Sequence, residues 1–393
     1  MRVRAIKIEG SEKARKELSL IGSDKAGVNI MVSKAVHRVI KVEDISSKAA
    51  VVLKQEMLSK GGEAAVSWGV GNFSVDKTDV LLMGTVKQFY RVITKLRAQP
   101  FGLSRLAELL TQTLANLDDC PRSGLECRGY NLPMGERTLI MGILNVTPDS
   151  FSDGGRFFNG DIAVEHALEM VEQGADIIDI GGETTKPTAE PLPQDEELAR
   201  VIPVIRRLVK ELNVPISVDT YKAEVARQAL EEGAHIINDV WGLKAESKIA
   251  EVVSRYEDVP LILMHNQKGN VYKSMMDDIL GSLRESVEMA LNAGIRPENI
   301  ILDPGIGFAK DTDQNLEVMN RLWEFRTLGY PLLLGTSRKS LIGNTLGLPL
   351  NERKEGTAAT VAFGISQGVD IVRVHDITEM ARVVKMTDAM VRR

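Results

Sequence analysis

Between residues 138 and 393 one pattern recurs eight times: a short apolar segment that stops at polar residues, then a helical stretch. The apolar segments are TLIMGILNVT (138–147), ADIIDIGG (175–182), PISVDT (215–220), HIINDV (235–240), LILMH (261–265), IILDPG (300–305), PLLLGTS (331–337) and DIVRVHD (370–376). None alternates apolar with polar, so each reads as a strand buried on both faces, as in a parallel sheet. Helical patterns lie between them, for example at 162–173, 196–211, 222–232, 280–293 and 355–367. Gly174, Gly233, Gly294 and Gly368 follow the last turn of several, where a left-handed cap favours a residue without Cβ. Eight strands with eight crossovers fit a closed (β/α)8 TIM barrel, which takes ~250 residues. An open doubly wound sheet is the alternative. It would more often carry a Gly-rich phosphate loop after its first strand, and no GxGxxG stands there.

Residues 1–118 read as a separate small α/β domain. Residues 1–137 hold 22 Lys+Arg against 15 Asp+Glu, while the rest hold 27 against 39. A net +7 beside a net −12 suggests two units. A strand is expected at Arg2–Ile8, a helix at Ser47–Lys60 capped by Ser46 or Ser47, and a strand at Thr78–Gly84. Helices are expected near 85–97 and 103–117, with Trp68, Phe73, Phe89 and Tyr90 in the core. Residues 119–137 read as a linker, and Cys120 and Cys127 within it as incidental thiols. The basic residues of this region are scattered and form no nucleic-acid motif. No apolar run is long enough for a membrane span, and the charged start MRVRAIKIEG does not suit a signal peptide. A cytoplasmic protein is expected.

The polar residues at the eight strand ends would converge on one barrel face, where barrel enzymes place their active sites. They are Asn145; Glu183, Thr184 and Thr185; Asp219; Asn238 and Asp239; His265; Asp303; Ser337, Arg338, Lys339 and Ser340; Arg373 and His375. They fall into two chemical halves. Asp219, Asn238, Asp303 and Lys339 suit a fused N–H donor edge, such as that of a pterin or purine. Arg373 and His375, two residues apart on one strand face, suit a phosphate, and Asn145 with Mg²⁺ could complete that site. Ser340 opens a helix whose backbone N–H groups suit a small carboxylate. P-loop, HExxH and GxSxG motifs are absent, and the five histidines show no metal spacing.

The motifs LNVTPDSFSDGG (144–155), GADIIDIGGETTKP (174–187), SVDT (217–220), INDV (237–240), LMH (263–265), DPGIGF (303–308), GTSRKSLIG (335–343), Glu352-Arg353, Gly356-Thr357 and VRVHD (372–376) cover every strand end in order. On them, residues 138–393 resemble the dihydropteroate synthase family of pterin-binding barrels. The resemblance implies a transferase of folate biosynthesis that joins 6-hydroxymethyl-7,8-dihydropterin pyrophosphate to p-aminobenzoate. Pyrophosphate would leave first, in a dissociative step. Asp219, Asn238, Asp303 and Lys339 would hold the pterin. Asn145, Arg373, His375 and Mg²⁺ would hold the pyrophosphate, with Asn145 on the metal. Thr185, Pro187, Phe308, Lys339 and Ser340 would form the p-aminobenzoate pocket. Lys339, Arg373, His375 and Asp219 would carry the chemistry. Loops bearing Asp149, Ser150, Phe151, Asp153, Thr184 and Lys186 would close over the substrates. The family is usually dimeric, which implies a homodimer through barrel helices.

Five positions depart from the family pattern: Thr184-Thr185-Lys186-Pro187 replaces Ser-Thr-Arg-Pro, Asn266 a common Met, Ala309 a common Gly and Gln314 a common His. Two rival readings exist. A methyltetrahydrofolate:corrinoid methyltransferase would share the strand-end Asp and Asn but need no anion site, so Arg373 and His375 argue against it. A degenerate barrel that only binds pterin has Lys186 and the extra domain as its sole support. The N-terminal domain could be a second folate enzyme, a partner-binding module or a packing domain. The last two are favoured, since no acid–base cluster appears in it.

Overall fold

A computed structural model describes residues 1–118, 124–146, 160–183 and 191–392, in two compact units that divide between Cys120 and Pro121. The first unit runs α1 (Ser11–Leu20), α2 (Lys25–Ala35), β1 (His37–Ser46), α3 (Ser47–Ser59), β2 (Glu63–Val66), β3 (Lys77–Thr85), α4 (Val86–Leu96) and α5 (Leu103–Asn116). Its antiparallel sheet has the order β1-β3-β2. Strands β1 and β3 alternate exposed and buried residues, so one face is apolar. That face gives Ile40, Val42, Val80 and Leu82 to a core with Leu53, Met57, Phe89 and Val92 from the helices. Ser46 caps α3 through its side chain, which accepts the Ala49 N–H at 3.3 Å, and the helix stops before Gly61 at φ +79°.

Two expectations for this unit fail. Residues 2–8 form no strand, and Val3 and Ile6 lie in solvent. Alternation alone makes no strand without a sheet edge to pair with. Of the four aromatics, only Phe89 is buried; Trp68 is 93% exposed, and Phe73 and Tyr90 are exposed too. Trp68 opens a single 3-10 turn and Phe73 sits at φ +54°, so both belong to a surface connection.

The second unit begins with a hairpin, β4 (Leu125–Cys127) and β5 (Tyr130–Leu132), where the sequence suggested a plain linker. Its Leu125, Cys127 and Leu132, with Met134, pack on Leu139, Met141, Ile177, Ile236, Ile262, Ile301, Leu333 and Ile371. These are the inward residues at the start of the barrel strands, so the hairpin plugs the N-terminal end of the barrel. Six residues of apolar alternation are too few to announce it in a Gly- and charge-rich stretch.

The barrel strands are β6 (Leu139–Asn145), β7 (Ile177–Gly181), β8 (Ile216–Asp219), β9 (Ile236–Asp239), β10 (Leu261–Met264), β11 (Ile300–Asp303), β12 (Leu333–Leu334) and β13 (Ile371–Val374). They form one parallel sheet, order β11-β10-β9-β8-β7-β6-β13-β12, and a bridge between Leu302 and Leu332 closes the ring. The fold is a (β/α)8 TIM barrel. Helices α6 (Gly160–Glu172), α7 (Gln194–Glu211), α8 (Ala223–Glu231), α9 (Lys248–Val253), α10 (Met275–Asn292), α11 (Thr312–Asn320), α12 (Ser340–Leu346), α13 (Lys354–Ser366) and α14 (Ile377–Val391) surround it. The four glycine caps adopt φ between +97° and +108°.

Candidate active site

Strand periodicity builds the site. Ile177, Ile236, Ile301 and Ile371 point inward at the plugged end. Two residues further along, the same inward face carries Asp179, Asn238, Asp303 and Arg373. Arg373 joins the set together. Its Nε donates to Asp179 Oδ2 at 2.6 Å and its terminal nitrogen to Asp219 Oδ2 at 2.9 Å. The Asn238 amide nitrogen donates to the same Asp179 oxygen at 3.2 Å. This leaves the Asn238 carbonyl oxygen to accept a ligand N–H, and leaves most of the five guanidinium N–H donors for an anion. Asn145 and Asp219 flank Gly181: a Cβ there would stand 3.6 Å from Asn145 Oδ1 and 3.8 Å from Asp219 Cβ.

Lys339, the residue before α12, turns its ammonium to the Ile306 carbonyl at 2.5 Å, 4.7 Å from the Phe308 ring centroid. The loop after β11 gets there through left-handed backbone at Gly305 (φ +68°) and Gly307 (φ +84°). A Cβ on Gly305 would lie 2.0 Å from the His265 carbonyl oxygen, so only glycine allows this approach. Ala309 is left-handed as well, at φ +50°, which explains why glycine is the common residue at that position of the pattern.

Burial dominates the electrostatics. It pushes the Asp219 carboxyl up to about 7, against the attraction of Arg373 and with the repulsion of Asp179. It raises Asp303 as well, opposed by Lys339. It pulls the Lys339 ammonium down to about 8, opposed by Asp303. Burial also acts to lower Arg373, but Asp179 and Asp219 hold it above its ordinary value. His375 is pulled down to about 4 by burial and by the nearby Arg373 and Arg338, so it is a neutral imidazole at pH 7. Its Nδ1 lies 3.0 Å from Ser337 Oγ, and it borders a cavity of about 510 Å³ shared with Arg338 and Asp376.

Among the expected residues, Asn145, Asp219, Asn238, Asp303, Lys339, Arg373, His375 and Phe308 come to the C-terminal end of the barrel. Ser340 is there too, exposed as the first residue of α12. Thr185, Pro187, Asp149, Ser150, Phe151, Asp153, Thr184 and Lys186 lie outside the described residues. Several other strand-end groups serve the scaffold. Asp239 accepts the Trp241 and Leu243 N–H groups, Arg338 pairs with Asp376, and Glu183 pairs with Lys222 at 2.6 Å. The two chemical halves touch: Arg373 of the anion half is bonded to Asp219 of the other. Sequence reasoning missed Asp179, the carboxylate between them. Counting back two residues from Gly181 would have found it. It also missed Lys310, whose only signal is its place just after DPGIGFA.

Residues 141–375 match the family described as pterin binding enzyme. The chain is 55% identical over 261 residues to a dihydropteroate synthase of Clostridium beijerinckii, covering 66% of this chain and 97% of that protein. It is 42% identical over 389 residues to a probable bifunctional folylpolyglutamate synthase/dihydropteroate synthase of Halobacterium salinarum. That alignment covers 97% of this chain and 46% of the halobacterial one, so it takes in the N-terminal unit as well. Among solved structures, a dihydropteroate synthase of Clostridium difficile, obtained in the presence of pteroic acid, superposes with a TM-score of 0.65 at 55% identity. The superposition covers 66% of this chain and 99% of that one.

Proposed function

The chain belongs to the pterin binding enzyme family, and on that premise we propose that it condenses 6-hydroxymethyl-7,8-dihydropterin pyrophosphate with p-aminobenzoate. The products would be 7,8-dihydropteroate and pyrophosphate, and the enzyme a transferase of folate biosynthesis. The observation that carries the reading is the buried set of Asp219, Asn238 and Asp303, with the half-buried Lys339, around Arg373 at the mouth of the barrel. Asp219 and Asp303 accept the N–H edge of the pterin, and the Asn238 carbonyl accepts a further N–H. Arg373 and the neutral His375 take the pyrophosphate. As pyrophosphate departs, positive charge develops on the pterin, and the inward carboxylates stabilise it where water is excluded. Lys339 and Phe308 line the p-aminobenzoate side.

Among the described residues no group of three or more His, Cys, Asp or Glu could hold a metal ion. A single amide oxygen, that of Asn145, fits Mg²⁺ only as an ion that keeps its water and substrate phosphates. Asn145 would hold it, and its charge would offset that of the leaving pyrophosphate. Among the described residues no helix is long and apolar enough to cross a membrane, and we read the protein as cytoplasmic. Phe363, Met386 and Met390 are exposed on α13 and α14, and support a homodimer through these helices. Incubation with the pterin pyrophosphate, labelled p-aminobenzoate and Mg²⁺ tests the function. Labelled dihydropteroate with stoichiometric pyrophosphate is expected; no condensation product would sink the reading.

A further inference from the structure

We infer that Lys310 is a positioning residue for the p-aminobenzoate side of the site: its ammonium gathers the β11–α11 loop and so sets Phe308 against Lys339. The inference rests on the functional reading above. Lys310 Nζ lies 3.0 Å from the Pro304 carbonyl oxygen, 3.0 Å from that of Gly305 and 3.2 Å from that of Phe308. Three carbonyl dipoles aimed at one point repel one another, and the Lys310 ammonium, pulled down to about 7 by burial against the attraction of Asp303, supplies the N–H donors that hold them there. His265 Nδ1, from the end of β10, stands 3.1 Å away as a fourth neighbour. Burial and Lys310 itself depress His265 to about 3, so its imidazole is neutral and Nδ1 can accept. The knot therefore ties the loop to itself and to the neighbouring strand.

The loop needs such a fastening. Gly305, Gly307 and Ala309 all take left-handed backbone, and two further bonds pin the ends: Gly307 N–H to Asn315 Oδ1 at 2.7 Å, and Tyr272 O–H to the Ala309 carbonyl at 2.9 Å. On its inner side the loop presents the Ile306 carbonyl and the Phe308 ring, the two groups against which Lys339 rests. Lys310 touches neither, and reaches both through the carbonyls it holds. Asp303 has its backbone in the strand ladder, paired in register with Met264, and although its Oδ1 accepts the Gly305 N–H at 2.7 Å, its place depends less on the knot than that of Phe308.

The test is Lys310→Met in the full chain, with steady-state rates at varied p-aminobenzoate and pterin pyrophosphate. Loss of a charge-assisted cluster should raise KM for p-aminobenzoate about tenfold or more, with kcat at saturation and KM for the pterin substrate changed less than about threefold. An unchanged KM for p-aminobenzoate overturns the inference, as does an equal loss on both substrates. If Lys310→Met does not fold by circular dichroism, Tyr272→Phe is read instead. It removes one pin of the same loop and should raise KM for p-aminobenzoate about threefold; no rise overturns the inference. Wild-type turnover separates the two readings. With no wild-type product the functional reading falls and this inference with it; with product and unchanged KM, only this inference falls.

Discussion

Replacing Arg373 by Met should cost the protein both stability and pterin affinity, not pyrophosphate affinity alone. Arg373 neutralises Asp179, which has no exposed surface, and Asp219, which keeps 8%, while its own side chain keeps 18%. Methionine preserves the bulk and removes the charge. Leaving a buried charge without its partner costs about 3–5 kcal/mol, and the residual exposure of Arg373 favours the lower end. For a unit this size, a loss of about 3 kcal/mol lowers Tm by roughly 6–12 °C. The pH dependence has a definite sign. Asp219 has a higher pKa folded than unfolded, and Arg373 is the main influence opposing that rise. A carboxyl with a raised folded pKa favours the folded state at low pH and loses that advantage as pH rises through the folded pKa. The deficit of Arg373→Met should therefore be larger at about pH 8 than at about pH 5. Pterin affinity near neutrality should fall about tenfold or more, because a protonated Asp219 offers fewer acceptors. Urea unfolding at the two pH values and calorimetric titration with a pterin measure both effects. A pH-independent loss below about 0.5 kcal/mol, with pterin binding intact, would refute the reasoning.

Other expectations are narrower. Lys339→Met should reduce kcat by about a hundredfold or more, since the variant loses the ammonium that rests against Phe308 at the wall shared by both substrates; rates within threefold of wild type would remove it from the chemistry. Removing residues 1–120 should leave a folded barrel. Removing 1–135 should destabilise it by several kcal/mol, because Leu125, Cys127, Leu132 and Met134 are each at most 5% exposed and each apolar side chain contributes about 1.5–3 kcal/mol. Equal melting temperatures for the two truncations would contradict the plug. Ala309→Gly should stabilise the protein by about 1 kcal/mol, by relieving a left-handed residue with a Cβ. A lower Tm would show that the methyl group packs well enough to offset the strain.

The barrel was legible because buried parallel strands write themselves as unbroken apolar runs, and eight of them left few topologies. Residues such as Asp303 and Arg373 were legible because they stand at or near the strand ends, where barrel enzymes place their active sites. Asp179 was not, because a carboxylate inside an apolar run reads as a break in the pattern until the inward phase of the strand is known. Lys310 was hidden for another reason: its partners are backbone carbonyls, and carbonyls have no sequence signal. The β4–β5 hairpin lay below detection because three-residue strands carry too little periodicity. Trp68 and Phe73 misled because size suggests burial, whereas their turn leaves them outside the small sheet's apolar face.

The central claim is that the converging strand ends form one site for dihydropteroate formation. The direct measurement is conversion of labelled p-aminobenzoate by the wild type and by Asp303→Asn, matched for fold by circular dichroism. Mg²⁺-dependent dihydropteroate from the wild type, at least about a hundredfold less from the variant, is the expected result. No product from the wild type, or equal rates from both, would contradict the account.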